Sequence, residues 1–223
     1  MVTVSPSWQS IYPGAALGIL ALQGVANPSA HPQLDRTRLD LEAQLRSRFA
    51  GLDRAAIEAS PEMQAYRAYY KRFKKTYHVL LQLESIVFKD KPIPSVAALV
   101  EAMFMAELKN QLLTAGHDLD RIQQPIRLDI ARGDELYTLL RGEEQVCKPG
   151  DMIMSDAQAV ICSVIYGADF RTRLTPAMRR VLFVVYVPPG VAIERIEQHL
   201  DDLESNLRLV SPQAEVEHRS IYH

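Results

Sequence analysis

A glycine, an imidazole and two carboxylates fall within five residues, where Gly116 and His117 are followed by Asp118 and Asp120. A histidine in this place can orient a water molecule or bind a carbonyl oxygen. It can equally lie at the exit of a helix and interact with the helix dipole. The two aspartates are a weak metal signal, because hard cations usually take about six or more oxygens. We therefore expect Asp118 to cap a short helical turn, and we take His117 as a candidate catalytic residue.

A polar loop at residues 169–176 carries the second set of candidate groups, between two apolar, strand-like segments. Loops held between rigid strands often bear binding residues, and the guanidinium of Arg171 can bind a carboxylate or a phosphate through paired hydrogen bonds. Gly167 precedes the loop, and a glycine lets the backbone approach a ligand closely. We take Tyr166, Arg171 and Thr172 as candidate substrate-binding residues.

A basic and aromatic segment at residues 66–75 contains five bases, four aromatic side chains and no acid. Helical spacing places Arg67, Lys71 and Lys74 on one face, where they could follow a phosphate backbone. The aromatic side chains fall on another face at a spacing typical of burial. The segment is therefore either an RNA-binding helix, with those three bases as the contacts, or an amphipathic helix whose lysines are merely solvated.

Several common catalytic signatures are missing from the sequence. It has no His-Glu-x-x-His zinc motif, no Cys-x-x-Cys, no Gly-x-Ser-x-Gly elbow and no glycine-rich phosphate loop. We therefore expect neither a metal site nor a bound cofactor, and the P-loop nucleotidases, zincins and α/β-hydrolases are disfavoured.

The composition is that of an ordinary globular protein, with 223 residues, 48% hydrophobic and 23% charged. Twenty-five basic residues oppose 27 acidic ones, so any RNA contact must rest on a local patch. Cys147 and Cys162, without a secretory signal, suggest reduced thiols and a cytoplasmic location. The apolar run at 15–26 is too short to span a bilayer, and we expect no membrane partner. The sequence leaves the oligomeric state open.

Hydrophobic periodicity predicts an α+β fold, because helices and strands are partly segregated along the chain. Residues 1–93 are expected to form an early strand followed by helices, and residues 94–223 a β-rich core with a C-terminal helix, all in one domain. Strands are predicted at 16–25, 126–130, 136–140, 152–154, 159–165 and 181–187. Helices are predicted from about residue 33, from residue 61, over 79–88 and 96–113, and from about 191 through 207.

The order of features between residues 94 and 188 resembles the B3/B4 editing domain of the phenylalanyl-tRNA synthetase β subunit, in its stand-alone form. The matching succession is the helix at 96–113, the His117 segment, the strand at 126–130, residues 150–156, the small-residue strand through Gly167, and residues 171–175 leading into 181–183. The resemblance implies a β-rich, barrel-like mixed or antiparallel sheet flanked by helices. This sequence differs from the family pattern at Ala115, where the synthetase domain has a histidine.

The synthetase domain hydrolyses tyrosine wrongly attached to the phenylalanine tRNA, so the resemblance implies an aminoacyl-tRNA as partner and substrate. Such an ester is already activated, and a positioned water with oxyanion donors can suffice. The resemblance places Glu107, Asn110 and His117 on one side of the expected pocket and Tyr166, Arg171 and Thr172 on the other. His117 or Glu107 would place the water. The alternative is a non-catalytic module that binds an amino acid, another small ligand or RNA.

Overall fold

The computed structural model describes residues 2–223 and shows an α+β architecture with three sheets. The helices are α1 Pro6–Ile11, α2 Pro32–Arg48, α3 Arg54–Glu58, α4 Pro61–Arg72, α5 His78–Lys89, α6 Ala98–Asn110 and α7 Ile193–Val210. The strands are β1 Val2–Val4, β2 Ala16–Gln23, β3 Thr114–Asp118, β4 Ile126–Ile130, β5 Leu136–Thr138, β6 Glu144–Val146, β7 Met152–Ser155, β8 Val160–Ser163, β9 Gly167–Ala168, β10 Arg180–Val187 and β11 Glu215–Tyr222.

The centre of the molecule is an antiparallel sheet with strand order β11-β2-β10-β3. Strands β2 and β10 are buried along almost their whole length, which explains their continuous apolar sequences. Helix α7 packs against β2 through an apolar stripe of Ile196, Leu200, Leu203 and Leu207. At Gly18 an added Cβ would lie only 3.0 Å from the Ile196 side chain, so a larger residue there would require this side chain to shift.

The second sheet has strand order β1-β4-β7-β8-β9, and β5 pairs with β6 in a separate hairpin. None of these sheets closes into a barrel within residues 2–223, so the barrel-like expectation is wrong. The reason is that β9 and β11 each pair on one side only and end their sheets as free edges. Strand β2 pairs with β10 and β1 pairs with β4, so residues 1–93 and 94–223 share both large sheets.

The predicted strands at 16–25, 126–130, 152–154 and 181–187 are confirmed with small shifts of their ends. The main error concerns His117, which is the fourth of the five residues of β3 and does not lie at the exit of a helix. Helix α6 stops at Asn110 because Gln111 adopts a left-handed conformation, with φ of 61°, and turns the chain back. Asp118 does cap a short 3-10 turn, as predicted, by accepting a hydrogen bond from the Asp120 N–H.

The aromatic face of α4 belongs to the core. Tyr66, Tyr70 and Phe73 are all buried, whereas Arg67 and Lys71 on the opposite face are exposed. The Tyr66 hydroxyl accepts a hydrogen bond from the Leu113 N–H at 2.9 Å and donates to the Tyr186 carbonyl at 2.6 Å. One phenol therefore ties α4 to the chain entering β3 and to β10.

The helices among residues 2–223 are each too short or too polar to cross a membrane.

We predict that Tyr66→Phe lowers the free energy of unfolding by about 2 kcal/mol, because it leaves a buried N–H and a buried C=O without their shared partner. Urea unfolding followed by circular dichroism measures the change. The control is Tyr222→Phe in β11, whose hydroxyl makes no hydrogen bond with residues 2–223, and we expect no measurable loss there. Equal stability of the two variants would contradict the assigned role of the Tyr66 hydroxyl.

Candidate functional site

A cavity of about 650 Å³ opens between α6, β3, the β8–β9 edge and the loop that follows β9. Its interior end is formed by buried groups, and its mouth by partly or fully exposed ones such as Val96 and Leu140. The volume lies in the range of small-molecule sites. The residues that line it are mostly apolar: His78, Gln82, Val96, Val100, Met103, Phe104, Glu107, Leu113, Thr114, Ala115, Gly116, Leu140, Cys162, Ser163, Val164, Ile165, Tyr166, Gly167, Ala168, Arg173, Leu174 and Tyr186.

Glu107 is the buried carboxyl group of this cavity. Its Oε1 accepts a hydrogen bond from the Thr114 N–H at 2.7 Å, and its Oε2 has no hydrogen-bond partner. Burial raises the pKa of Glu107 to about 8, although the hydrogen bond from Thr114 partly opposes the shift. The side chain is therefore protonated at neutral pH, and Oε2 is a buried oxygen that the fold leaves without a hydrogen-bond partner.

Thr114 connects Glu107 to helix α7. The Thr114 hydroxyl lies 2.7 Å from Nε2 of His199, which is fully buried. Burial lowers the pKa of His199 to about 4, so the imidazole is neutral. The backbone N–H of Thr114 thus positions the carboxyl, while its hydroxyl fixes β3 against α7.

Tyr166 and Gly167 form part of the mouth. The Tyr166 N–H donates to the Ser163 hydroxyl at 3.2 Å, which anchors the turn between β8 and β9. Gly167 has a φ of +96°, a conformation that favours glycine, and a Cβ added there would meet nothing within 4 Å. The backbone itself therefore borders open space at this point.

His117 and Thr172 contact one another but lie outside the cavity lining. Nδ1 of His117 is 2.8 Å from the Thr172 hydroxyl, which in turn donates to the Asp169 carboxylate. The Thr172 carbonyl also accepts from the Asp118 N–H at 2.7 Å. Burial lowers the pKa of His117 to about 4, and the nearby Arg171 charge acts in the same direction. This network ties the loop to β3 and so fixes two walls of the cavity.

Arg171 and Asn110 face other partners. Arg171 donates to the Asp156 carboxylate and to the Arg121 carbonyl, both at 2.8 Å. Asn110 donates to Asp202 of α7 at 2.9 Å. Of the six residues predicted for the pocket, Glu107 and Tyr166 border the cavity, whereas Asn110, His117, Arg171 and Thr172 do not line it.

Arg173 is a charged residue of the cavity lining that is not among the residues predicted from the sequence. Its guanidinium carbon lies 3.7 Å from the centre of the Phe170 ring, and Nη1 donates to the Phe170 carbonyl at 2.6 Å. The signal in the sequence was a second arginine in the same polar loop, two residues after Arg171, and the turn at residues 171 and 172 gives the two arginines different surroundings. Sequence alone did not say which of them faces the ligand.

The predicted RNA-binding residues border a second cleft, of about 420 Å³, along α4. Arg67, Lys71 and Lys74 all line it, together with Arg54 and Lys75. Arg67 is 64% exposed and is paired with Glu58 at 2.9 Å. In residues 2–223 we find no group of three or more His, Cys, Asp or Glu side chains placed to hold a metal ion.

Comparison with known proteins identifies the family. A model of the B3/4 domain matches residues 63–209, more than half of the chain, so the chain belongs to the B3/4 domain family. The structure is also similar to an N-terminal fragment of the phenylalanyl-tRNA synthetase β subunit from Pyrococcus horikoshii, with a TM-score of 0.51 and 12% identity. The similarity covers 100% of this chain and 54% of that one, and at this identity it establishes the fold alone. Curated proteins gave no match.

We predict that Glu107→Gln removes a pH-dependent loss of stability. The unfolded chain releases this proton near pH 4.5 and the folded chain near pH 8, so the free energy of unfolding falls as pH rises between them. The slope is up to about 1.4 kcal/mol per pH unit for one proton. Glutamine keeps the acceptor for the Thr114 N–H and does not titrate.

Urea unfolding between pH 6.5 and 8 measures this effect. The window begins at the ordinary pKa of the buried histidines, 6.5, and lies above the raised pKa of Asp151, about 6, so these groups contribute little to the change. The stability advantage of Glu107→Gln over the parent should grow across this window. The control Glu143→Gln, at an exposed turn, should follow the parent. A constant difference between Glu107→Gln and the parent would contradict a protonated Glu107.

Proposed function

We propose that this chain binds the aminoacylated 3′ end of a tRNA in the cavity and hydrolyses its ester bond. The observation that carries the proposal is the combination of an apolar cavity with one buried, unpartnered carboxyl group, Glu107, in a member of the B3/4 family. An apolar lining favours the side chain of an amino acid, and a few polar groups fix its orientation. The protein of similar fold is a fragment of a tRNA synthetase subunit, which supports an RNA-linked substrate.

The hydrolysis needs little from the protein, because an aminoacyl ester is already reactive. Water adds to the ester carbonyl, the bond to the ribose oxygen breaks, and that oxygen leaves with a proton. The proposed role of Glu107 is to orient this water through its free Oε2. Tyr166 borders the mouth, and the contacts between His117 and Thr172 hold the two walls at a fixed distance.

The RNA body would lie along α4, where Arg67, Lys71 and Lys74 line the basic cleft. This face is close to the cavity, because Nζ of Lys75 lies 4.6 Å from the centre of the Tyr166 ring, and Tyr166 lines the cavity mouth. A strand that follows the cleft therefore arrives at the mouth. A cytoplasmic location, a single B3/4-like domain over residues 1–223 and activity without a metal or cofactor belong to the same proposal.

One observation favours the second candidate, a non-catalytic module that binds an amino acid or another small ligand. The carboxyl group of the cavity is protonated at neutral pH, because burial raises the pKa of Glu107 to about 8. His117 is neutral but lies outside the lining. A site without an ionised base suits binding as well as it suits hydrolysis of an activated ester.

We predict that the protein deacylates at least one member of a panel of mischarged tRNAs. Glu107→Gln should lower that rate about tenfold or more, because misplacing a reacting group such as the attacking water can cost up to about 10²-fold. Glu143→Gln makes the same chemical change at an exposed turn, and its rate should equal that of the parent. Release of radiolabelled amino acid measures the rate. Failure of the folded protein to deacylate any substrate at high concentration would overturn hydrolysis, and binding without turnover would favour the second candidate.

We predict that the triple variant Arg67→Gln, Lys71→Gln and Lys74→Gln weakens tRNA binding and reduces the slope of log affinity against log salt by about 2 to 3, because phosphate contacts release counterions. Filter binding at several salt concentrations measures both quantities.

The matched control removes three exposed charges that line neither cleft, at Arg36, Lys89 and Lys91. Its salt slope should change much less than that of the α4 variant. Equal slopes for the two triple variants would move the RNA site away from α4.

A further inference from the structure

Two cationic side chains lie at the cavity mouth, and each packs over the face of an aromatic ring. Arg173 lines the cavity and covers the ring of Phe170, a residue that is 40% exposed. Lys75 lies over Tyr166, which borders the same cavity from the β8–β9 turn. The cavity is therefore edged by positive charge on the side of the loop and on the side of α4.

Neither cation is neutralised. No carboxylate of residues 2–223 lies within salt-bridge distance of Arg173 or Lys75, whereas Arg171 is paired with Asp156 and Arg180 with Glu217. Arg173 uses one N–H on the Phe170 carbonyl, and a guanidinium has five. The ring and the carbonyl hold the group in place, so its other donors are oriented before any ligand arrives.

We propose that Arg173 and Lys75 bind the phosphodiester that precedes the terminal nucleoside of the RNA. The inference rests on the proposed function. If the ester lies beside Glu107 inside the cavity, as the proposed hydrolysis requires, the terminal ribose extends towards the mouth and the phosphate that precedes it lies at the mouth. Arginine suits this task because its planar fork matches two phosphate oxygens, and Lys75 adds a flexible point charge from the segment that follows α4.

The test uses a probe that is shared by all tRNA 3′ ends and needs no knowledge of the amino acid. The dinucleotide cytidylyl-adenosine carries the one phosphodiester in question, and its methylphosphonate analogue has the same shape without the charge. Amide chemical shifts of the full chain, titrated with each probe, give both affinities. We expect the charged probe to bind about tenfold more tightly, with shifts at the cavity mouth.

We expect the preference for the charged probe over the methylphosphonate to fall in Arg173→Gln and in Lys75→Gln. The double variant should lose this discrimination between the probes altogether. Arg173→Lys keeps the charge and should retain part of it, which separates loss of charge from loss of packing on Phe170. Arg36→Gln is the matched control on α2 and should discriminate as the parent does. Thermal unfolding confirms that each variant is folded.

Three results would overturn the phosphate assignment: equal affinities of the parent for both probes, unchanged discrimination in the double variant, or no binding of either probe. Each leaves the proposed function standing if the panel of mischarged tRNAs is still deacylated. If the protein deacylates no tRNA but still binds the charged probe more tightly than the methylphosphonate, the proposed hydrolysis is wrong and the phosphate assignment stands. Arg173-dependent binding of a free amino acid, without binding of the dinucleotide, would assign Arg173 to an α-carboxylate instead.

Discussion

The burial of the Glu107 carboxyl beside an apolar cavity is the constraint on which the rest of the site depends. One oxygen is satisfied by the Thr114 N–H and the other has no partner, a deficit that usually costs about 1–3 kcal/mol. The chain reaches this arrangement because Gln111 ends α6 in a left-handed conformation and returns β3 beside the carboxyl. A ligand that supplies the missing hydrogen bond recovers part of that cost, which is why an unsatisfied buried group points to a binding site.

The surrounding elements explain how so open a cavity keeps its shape. Strand β10 lies between β2 and β3 and fixes β3 as one wall. The loop after β9 forms the facing wall and is joined to β3 through Thr172, which contacts both His117 and the Asp118 N–H. Residues far apart in the sequence thereby become neighbours. The polar groups that stand out most in the sequence hold the walls together, and the less conspicuous Arg173 faces the ligand space.

Much of the fold could be predicted from the sequence, because β2 and β10 are continuous apolar runs and α7 has a clear apolar stripe. Strands β1 and β11 were missed, since an edge strand buries too little to show a strong pattern. The sequence predicts His117 at the end of a helix, because the left-handed turn at Gln111 rests on contacts with Ser60 and Tyr77 rather than on a glycine. In the site, Glu107 and Tyr166 are predicted from the sequence. Which of Arg171 and Arg173 lines the cavity follows only from the structure, in which Asp156 pairs with Arg171.

The most direct test of the account is the infrared difference spectrum between the parent protein and Glu107→Gln, because it detects the protonation state of this one carboxyl group. A protonated carboxyl in the cavity should give a carbonyl band at neutral pH that disappears as the pH is raised through about 8, the raised pKa of Glu107. If the neutral-pH spectrum contains only carboxylate bands, Glu107 is ionised and hydrated, and the description of the cavity as an apolar site with one unsatisfied neutral carboxyl is wrong.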